Sequence, residues 1–390
     1  MSSELRCRVC ERTQPPAPIA ACPECDGPLD VVYGLEPAAP RRERRSMWRY
    51  ERLLPHAPAD PAAPGLTPLV PAPRLSHALG VDLLLKLESA NPTHSFKDRI
   101  AATAIAAAHA FGLQTLCCAS TGNLGEAVAA RAAANGMEAV VLVPSDHLEV
   151  APTASYGARV LAVDGSFDDC RRLEEELGTL FPWGFVGGNL QAFAAEGAKT
   201  IAYEIAEQLD GALPDAVVSP VASGVLFSKL AQGFAEAQAV GLAEGCRPRL
   251  FGAQAAGCPP LAAAWADDRP LSRVRPQTEV RSLAVGDPVF GELAVGAARM
   301  SGGAIRPVPE DEIADRTALL AETTGILADS AGGVALGALI GLIRDGTIVE
   351  GERVVLVVTG TGLKPYAGEV DRAATDVDGD IDSVLSALGV

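Results

Sequence analysis

Apolar runs of strand length, separated by alanine-rich stretches of helical length, recur along this chain and restrict its fold more than any other feature. Segments 81–87, 113–119, 139–143, 159–163, 185–186, 216–219, 250–253 and 354–358 read as strands. Segments 100–111, 124–134, 167–180, 227–237, 311–323 and 333–343 read as helices. Strands that are apolar throughout are buried on both faces, and a helix between them is the crossover that parallel strands need. The expectation is an α/β fold with mainly parallel sheets. At 390 residues, with roughly 100 to 200 residues per domain, two or three domains are expected. Residues 35–66, rich in Pro, Ala and Arg and without a steady period, read as a connecting arm, and the tail from Asp371 is acidic and alanine-rich.

Charge removes several classes of function. Lys and Arg number 32 against 49 Asp and Glu, a formal charge of −17, which repels a phosphate backbone or an anionic bilayer. No apolar run reaches the roughly 18 residues of a spanning helix, and the N-terminus carries Cys and charge where a signal peptide is apolar. The expectation is a cytoplasmic chain without nucleic-acid or membrane partners.

Four of the nine cysteines form two pairs, Cys7-x-x-Cys10 and Cys22-x-x-Cys25. Two such knuckles supply the four-sulfur tetrahedral shell that Zn²⁺ favours. Filled by four thiolates, the site has no open position, so this zinc is expected to fold a ribbon and not to catalyse. Arg6, Arg8 and Arg12 lie beside the thiolates in sequence and are expected to offset their charge. Cys117 and Cys118, inside an apolar run, are expected to pack.

In open parallel sheets ligands sit beyond the carboxyl ends of the strands, and four segments there carry chemistry. Asn91-Pro92-Thr93-His94-Ser95-Phe96-Lys97-Asp98-Arg99 follows a strand and opens a helix. A lysine at such a turn is suited to covalent catalysis if its surroundings lower its pKa. Ser120-Thr121-Gly122-Asn123 offers hydroxyls and N–H groups at a helix start, which suit a carboxylate or simply cap the helix. Ala222-Ser223-Gly224-Val225-Leu226 suits a phosphate, and Thr359-Gly360-Thr361-Gly362 presents a hydroxyl at the end of a strand.

Taken together, these blocks resemble the threonine synthase family of fold type II pyridoxal-phosphate enzymes. Further matching blocks, in the same order, are Glu196-Gly197-Ala198-Lys199-Thr200, Gly252-Ala253-Gln254-Ala255, Ser282-Leu283-Ala284-Val285-Gly286-Asp287-Pro288 and Ser330-Ala331-Gly332-Gly333. The resemblance implies two three-layer αβα domains plus the ribbon: ribbon 1–34, arm 35–66, a large cofactor domain from 67–105 and 190–372, a small domain 106–189, and a tail 373–390. It implies a lyase that converts O-phospho-L-homoserine and water to L-threonine and phosphate, with a phosphoamino acid as small-molecule partner and a homodimer as the usual assembly. Lys97 is then the cofactor-attachment and proton-transfer residue. Phe96, Asn123, Thr359 and Ala222, Ser223, Gly224, Val225 and Leu226 are the other cofactor contacts. Ser120, Thr121 and Gly122 are expected at the substrate carboxylate, and Lys199, Arg99 and His94 at its phosphate. The chain departs from the family pattern at Gln191-Ala192-Phe193-Ala194, where that pattern carries an Arg, and at Ala328-Asp329-Ser330. These departures fall beside the substrate, so a related β-replacement or dehydratase enzyme remains the second reading.

Overall fold

The computed structural model describes residues 3–37, 39–57, 63–120, 122–145, 151–364 and 374–390. Its larger sheet has six strands in the order Ala304–Val308, Arg249–Ala255, Ala216–Pro220, Arg353–Val358, Asp82–Leu87 and Leu69–Pro71. All neighbours are parallel except the last pair. A second sheet of five parallel strands runs Thr375–Val377, Arg159–Val163, Glu138–Pro144, Thr115–Ala119 and Gly184–Phe185.

Both sheets are covered on both faces, as the unbroken apolar strands require. Successive strand side chains point to opposite faces. Accordingly Val355 and Val357 enter one apolar cluster with the helices Lys97–Ala110, Gln191–Gln208 and Val225–Ala239. Val354, Leu356 and Val358 enter another, with Glu310–Thr324 and Ser330–Arg344. Leu116 and Cys118 are divided from Cys117 and Ala119 in the same way across the smaller sheet. Both thiols are buried, which pushes their pKa values well up, so they pack and do not react.

The longest helix among the described residues, Gln191–Gln208, was not anticipated from the sequence. It packs so closely on the helix Lys97–Ala110 that a Cβ at Gly197 would lie 2.0 Å from the Arg99 carbonyl oxygen. The arm contains the short 3-10 segment Met47–Leu53, which buries Trp48 and Tyr50. The tail is not loose: Thr375–Val377 forms an edge strand of the five-stranded sheet, and Val384 and Leu388 of the helix Ile381–Leu388 enter its apolar cluster. At the N-terminus Ser3–Cys7 pairs antiparallel with Thr13–Gln14 and Leu29–Tyr33. Among the described residues no helix is long and apolar enough to cross a membrane.

Candidate active site

Loops from the carboxyl ends of both large sheets converge on a cavity of ≈580 Å³ whose lining includes Lys97, Asn123, Ser223, Asp329, Thr359 and Lys364. The backbone ties three of these loops together. The Phe96 N–H donates to the Thr359 carbonyl at 3.0 Å, and the Asp329 N–H to the Gly360 carbonyl at 3.3 Å. Ser95 bridges Gly360 antiparallel. Gly360 is required here, because a Cβ would lie 2.6 Å from Asp329 Oδ2.

Lys97 is the first residue of its helix and is half-buried. Among the described residues its amine has no carboxylate or hydrogen-bond partner; it lies 4.4 Å from the centre of the Phe96 ring. Burial alone lowers its pKa to about 8, since a cation out of water with no compensating charge is disfavoured. Such an amine is a usable nucleophile and proton carrier near neutral pH.

Elsewhere on the wall, the turn after strand Ala216–Pro220 opens the helix Val225–Ala239. Gly224 has φ +88°, and a Cβ there would meet the Phe290 carbonyl oxygen at 2.5 Å, so only glycine fits. The N–H groups of residues 222–227 find no acceptor among the described residues. Buried N–H groups do not stay unpaired, so a row of them on a cavity wall calls for an anion such as phosphate.

Asn123 Oδ1 accepts from Lys364 Nζ at 3.0 Å, and the same ammonium reaches the Thr93 carbonyl at 2.7 Å and pairs with Glu126. Lys364 was not anticipated, because nothing in its local sequence separates it from a solvated lysine. Asp329 caps the helix Ser330–Arg344, and burial raises its pKa to about 6. Ser120 lines the cavity, but its hydroxyl accepts the N–H groups of Gly122 at 3.0 Å and Gly125 at 2.7 Å, so it caps the following helix. Thr121 lies outside the described residues.

The three residues expected at the substrate phosphate do not line the cavity. Arg99 is fully buried, bonded to Glu88 (2.7 and 2.8 Å) and Glu204 (2.5 and 2.8 Å), with Lys86 also on Glu204 at 2.7 Å. Lys199, also fully buried, pairs with Glu196 at 2.6 Å and Glu236 at 2.9 Å, while Lys229 takes the other oxygen of Glu196. Each cation therefore belongs to a quartet of two positive and two negative groups, which leaves no charge over for a ligand. His94 is exposed at a left-handed turn position (φ +62°), its Nδ1 3.1 Å from the Ser89 carbonyl oxygen.

The Sγ atoms of Cys7, Cys10, Cys22 and Cys25 all lie within 4.8 Å of one another, and no pair forms a disulfide. Cys7 and Cys25 are 3.4 Å apart, and Cys10 and Cys22 3.7 Å. Four sulfurs at 2.3 Å from a tetrahedral zinc would be about 3.8 Å apart, so the donor set fits that ion. N–H groups of Cys10 and Val9 point at Cys7 Sγ and help lower its pKa to about 6. Arg6, Arg8 and Arg12 pair with Glu11, Asp30 and Glu24, and not with the thiolates.

A half-buried lysine without a partner among the described residues, on the same cavity as a row of N–H groups with no acceptor among them, fits an aldehyde-bearing phosphate cofactor. The family described as "Pyridoxal-phosphate dependent enzyme" matches residues 62–360. A threonine synthase of Methanosarcina acetivorans is 34% identical over 385 residues, covering 95% of this chain and 94% of that protein. A threonine synthase of Methanocaldococcus jannaschii is 33% identical over 378 residues, with 92% of each covered. The processed form of threonine deaminase isoform 2 from Solanum lycopersicum shares the fold, with TM-score 0.68 at 20% identity over 89% of this chain and 96% of that one. This chain belongs to the pyridoxal-phosphate-dependent enzyme family, in its threonine synthase branch.

Proposed function

We propose that this chain converts O-phospho-L-homoserine and water into L-threonine and inorganic phosphate, by γ-elimination followed by β-addition. The observation that carries the reading is Lys97: a cavity-lining amine with pKa about 8 and no partner among the described residues, on the same cavity as the N–H groups of 222–227. The two relatives that cover 95% and 92% of the chain are both named threonine synthase.

When bound, pyridoxal phosphate supplies an electron sink for negative charge developing on substrate carbons. Lys97 attaches the cofactor and afterwards carries protons between those carbons. An amine of pKa 8 is about one-tenth neutral at pH 7, roughly 300-fold more than one at 10.5. The N–H groups of Ala222, Ser223, Gly224, Val225 and Leu226 hold the cofactor phosphate, beside Phe96. Asn123 donates to its phenolic oxygen. Thr359, which lines the cavity, would partner the ring nitrogen, where a hydroxyl, unlike a carboxylate, would leave that nitrogen largely unprotonated. The segment Ser120, Thr121 and Gly122 is assigned to the substrate carboxylate because Ser120 and Gly122 line the cavity, although the Ser120 N–H is already bonded to the Leu142 carbonyl and the Gly122 N–H to the Ser120 hydroxyl.

The assay is purified protein given phosphohomoserine: threonine and phosphate should appear in equal amounts, and borohydride reduction should fix the cofactor on the Lys97 peptide. A cofactor-loaded protein that turns over none of this substrate would refute the assignment. We further assign the four N-terminal thiolates to a structural zinc, the division 67–105 plus 190–372 and 106–189 to the two catalytic domains, and the working form to a cytoplasmic homodimer without nucleic-acid partners. Metal analysis should find about one zinc per chain; metal-free protein with four freely titrating N-terminal thiols would count against the ribbon assignment.

A further inference from the structure

We propose that Arg171 and Arg281 together hold the distal anion of the substrate, a phosphate monoester, and thereby set substrate choice. This subsite rests on the amino-acid phosphate chemistry proposed above. The cavity must supply cations for a dianion, and among the described residues four cationic side chains line it: Lys97, Arg171, Arg281 and Lys364. Lys97 is committed to the cofactor. Lys364 is occupied by Glu126, Asn123 and the Thr93 carbonyl. Arg99 and Lys199 are sealed in neutral quartets away from the cavity.

The two remaining arginines are differently placed. Arg171 stands on the helix Phe167–Leu180, one turn from the cavity carboxyl of Glu174, with its side chain 22% exposed. Among the described residues its hydrogen bonds are both at the outer limit, to the Asp287 carbonyl at 3.4 Å and Glu175 at 3.5 Å. Most of its five donors are therefore available. Arg281 opens the segment Arg281–Leu283, and its guanidinium has no hydrogen bond or ion pair among the described residues. The acids on the same rim, Glu279 and Asp287, form no side-chain ion pair with either arginine among the described residues. Nearby Arg273 is already spent on Asp168 at 2.7 Å and does not line the cavity.

The helix of Arg171 packs on the five-stranded sheet through Cys170, Leu173 and Leu177, and Leu283, beside Arg281, packs with the six-stranded one, so the two arginines come to the cavity from different sheets. Guanidinium forks match phosphate oxygens two at a time, which a lysine cannot do. The wall at Gln191, Ala194 and Ala195 carries no charge, so cations for the anion come from other elements.

The test uses the cofactor-loaded protein and four variants: Arg171→Gln, Arg171→Lys, Arg281→Gln, and Arg172→Gln as control. Arg172 is the exposed neighbour of Arg171 and is paired with Glu176 at 2.6 Å. Two quantities are read: KM and kcat for phosphohomoserine, and the calorimetric affinity for inorganic phosphate, whose site at residues 222–226 the cofactor already fills. Arg171→Gln and Arg281→Gln should each raise KM about 10- to 100-fold with a smaller change in kcat, and weaken phosphate binding in parallel. Arg171→Lys should recover only part of the loss, and Arg172→Gln should match the parent protein. Unchanged KM and unchanged phosphate affinity in both Gln variants would overturn the subsite while leaving the proposed reaction standing. If the parent protein does not turn over phosphohomoserine, the proposed reaction fails, and the phosphate titration still decides whether these arginines bind the anion.

Discussion

Replacing Arg99 by Met separates a structural cation from a substrate-binding one. Arg99 is fully buried between Glu88 and Glu204, and Lys86 completes a net-neutral group. Burial alone would raise the Glu204 pKa, yet Arg99 and Lys86 hold it well below the usual carboxylate value. Arg99→Met keeps most of the side-chain volume and leaves Glu88, Glu204 and Lys86 with a net charge of −1 in an apolar interior. Removing one partner of a buried ion pair costs about 3–5 kcal/mol. For a cooperative unit of roughly 300 residues at ~2.1 cal/mol/K per residue, the unfolding entropy is about 0.6 kcal/mol/K, so Tm should fall by about 5–8 °C. Calorimetry of the cofactor-loaded protein reads this directly, alongside KM and kcat at 20 °C. Arg99→Lys keeps the charge but loses the fork, so its Tm should fall between parent and Met variant; this gives a usable ordering even if the Met variant is recovered only in small amounts. A Met variant with parental Tm and a strongly raised KM would show that Arg99 reaches substrate, and would refute the structural assignment.

Gly197→Ala should be worse than an ordinary helix substitution, because its Cβ would lie 2.0 Å from the Arg99 carbonyl oxygen, a backbone atom that cannot swing away. A loss of about 3 kcal/mol or more, or failure to accumulate folded protein, is expected, and a neutral result would mean the two helices can separate freely. Glu174 gives a pH signature. Burial raises its pKa to about 7 from the ordinary 4.5, although Ala119 and Gly187 donate their N–H groups to it. The folded chain therefore keeps a proton that the unfolded chain has lost between those values. Its contribution is complete below about pH 4.5 and disappears as pH rises through 7, on the order of 3 kcal/mol in all. Tm measured from pH 4.5 to 8 should fall more steeply in the parent than in Glu174→Gln, and parallel curves would dispose of the assignment.

The alternation of strands and helices was legible because each strand is buried on both faces and each crossover is long; Arg159–Val163 and Phe167–Leu180 lie where the pattern puts them. The helix Gln191–Gln208 escaped notice for the opposite reason. It is buried nearly all round, so no polar stripe marks a 3.6-residue period, and its buried charged residues Glu196, Lys199 and Glu204, which suggest exposure, are paired inside, mostly with partners on other elements. The place of Lys97 on the cavity wall was readable because its segment follows a strand and opens a helix. The phosphate cations were not. Arg99 and Lys199 stand within the motifs, but their partners Glu204 and Glu236 lie 105 and 37 positions away in sequence, and only the fold reveals that their charge is already matched. Arg171 has the reverse disguise: on an amphipathic helix, four residues before Glu175, it reads as half of a solvated i,i+4 pair. A cation beside a motif is therefore weak grounds for ligand contact in a tightly packed α/β chain. What separates a binding residue from a foundation is whether its donors remain unspent at the cavity wall, and by that criterion Arg171 and Arg281 qualify while Arg99 and Lys199 do not.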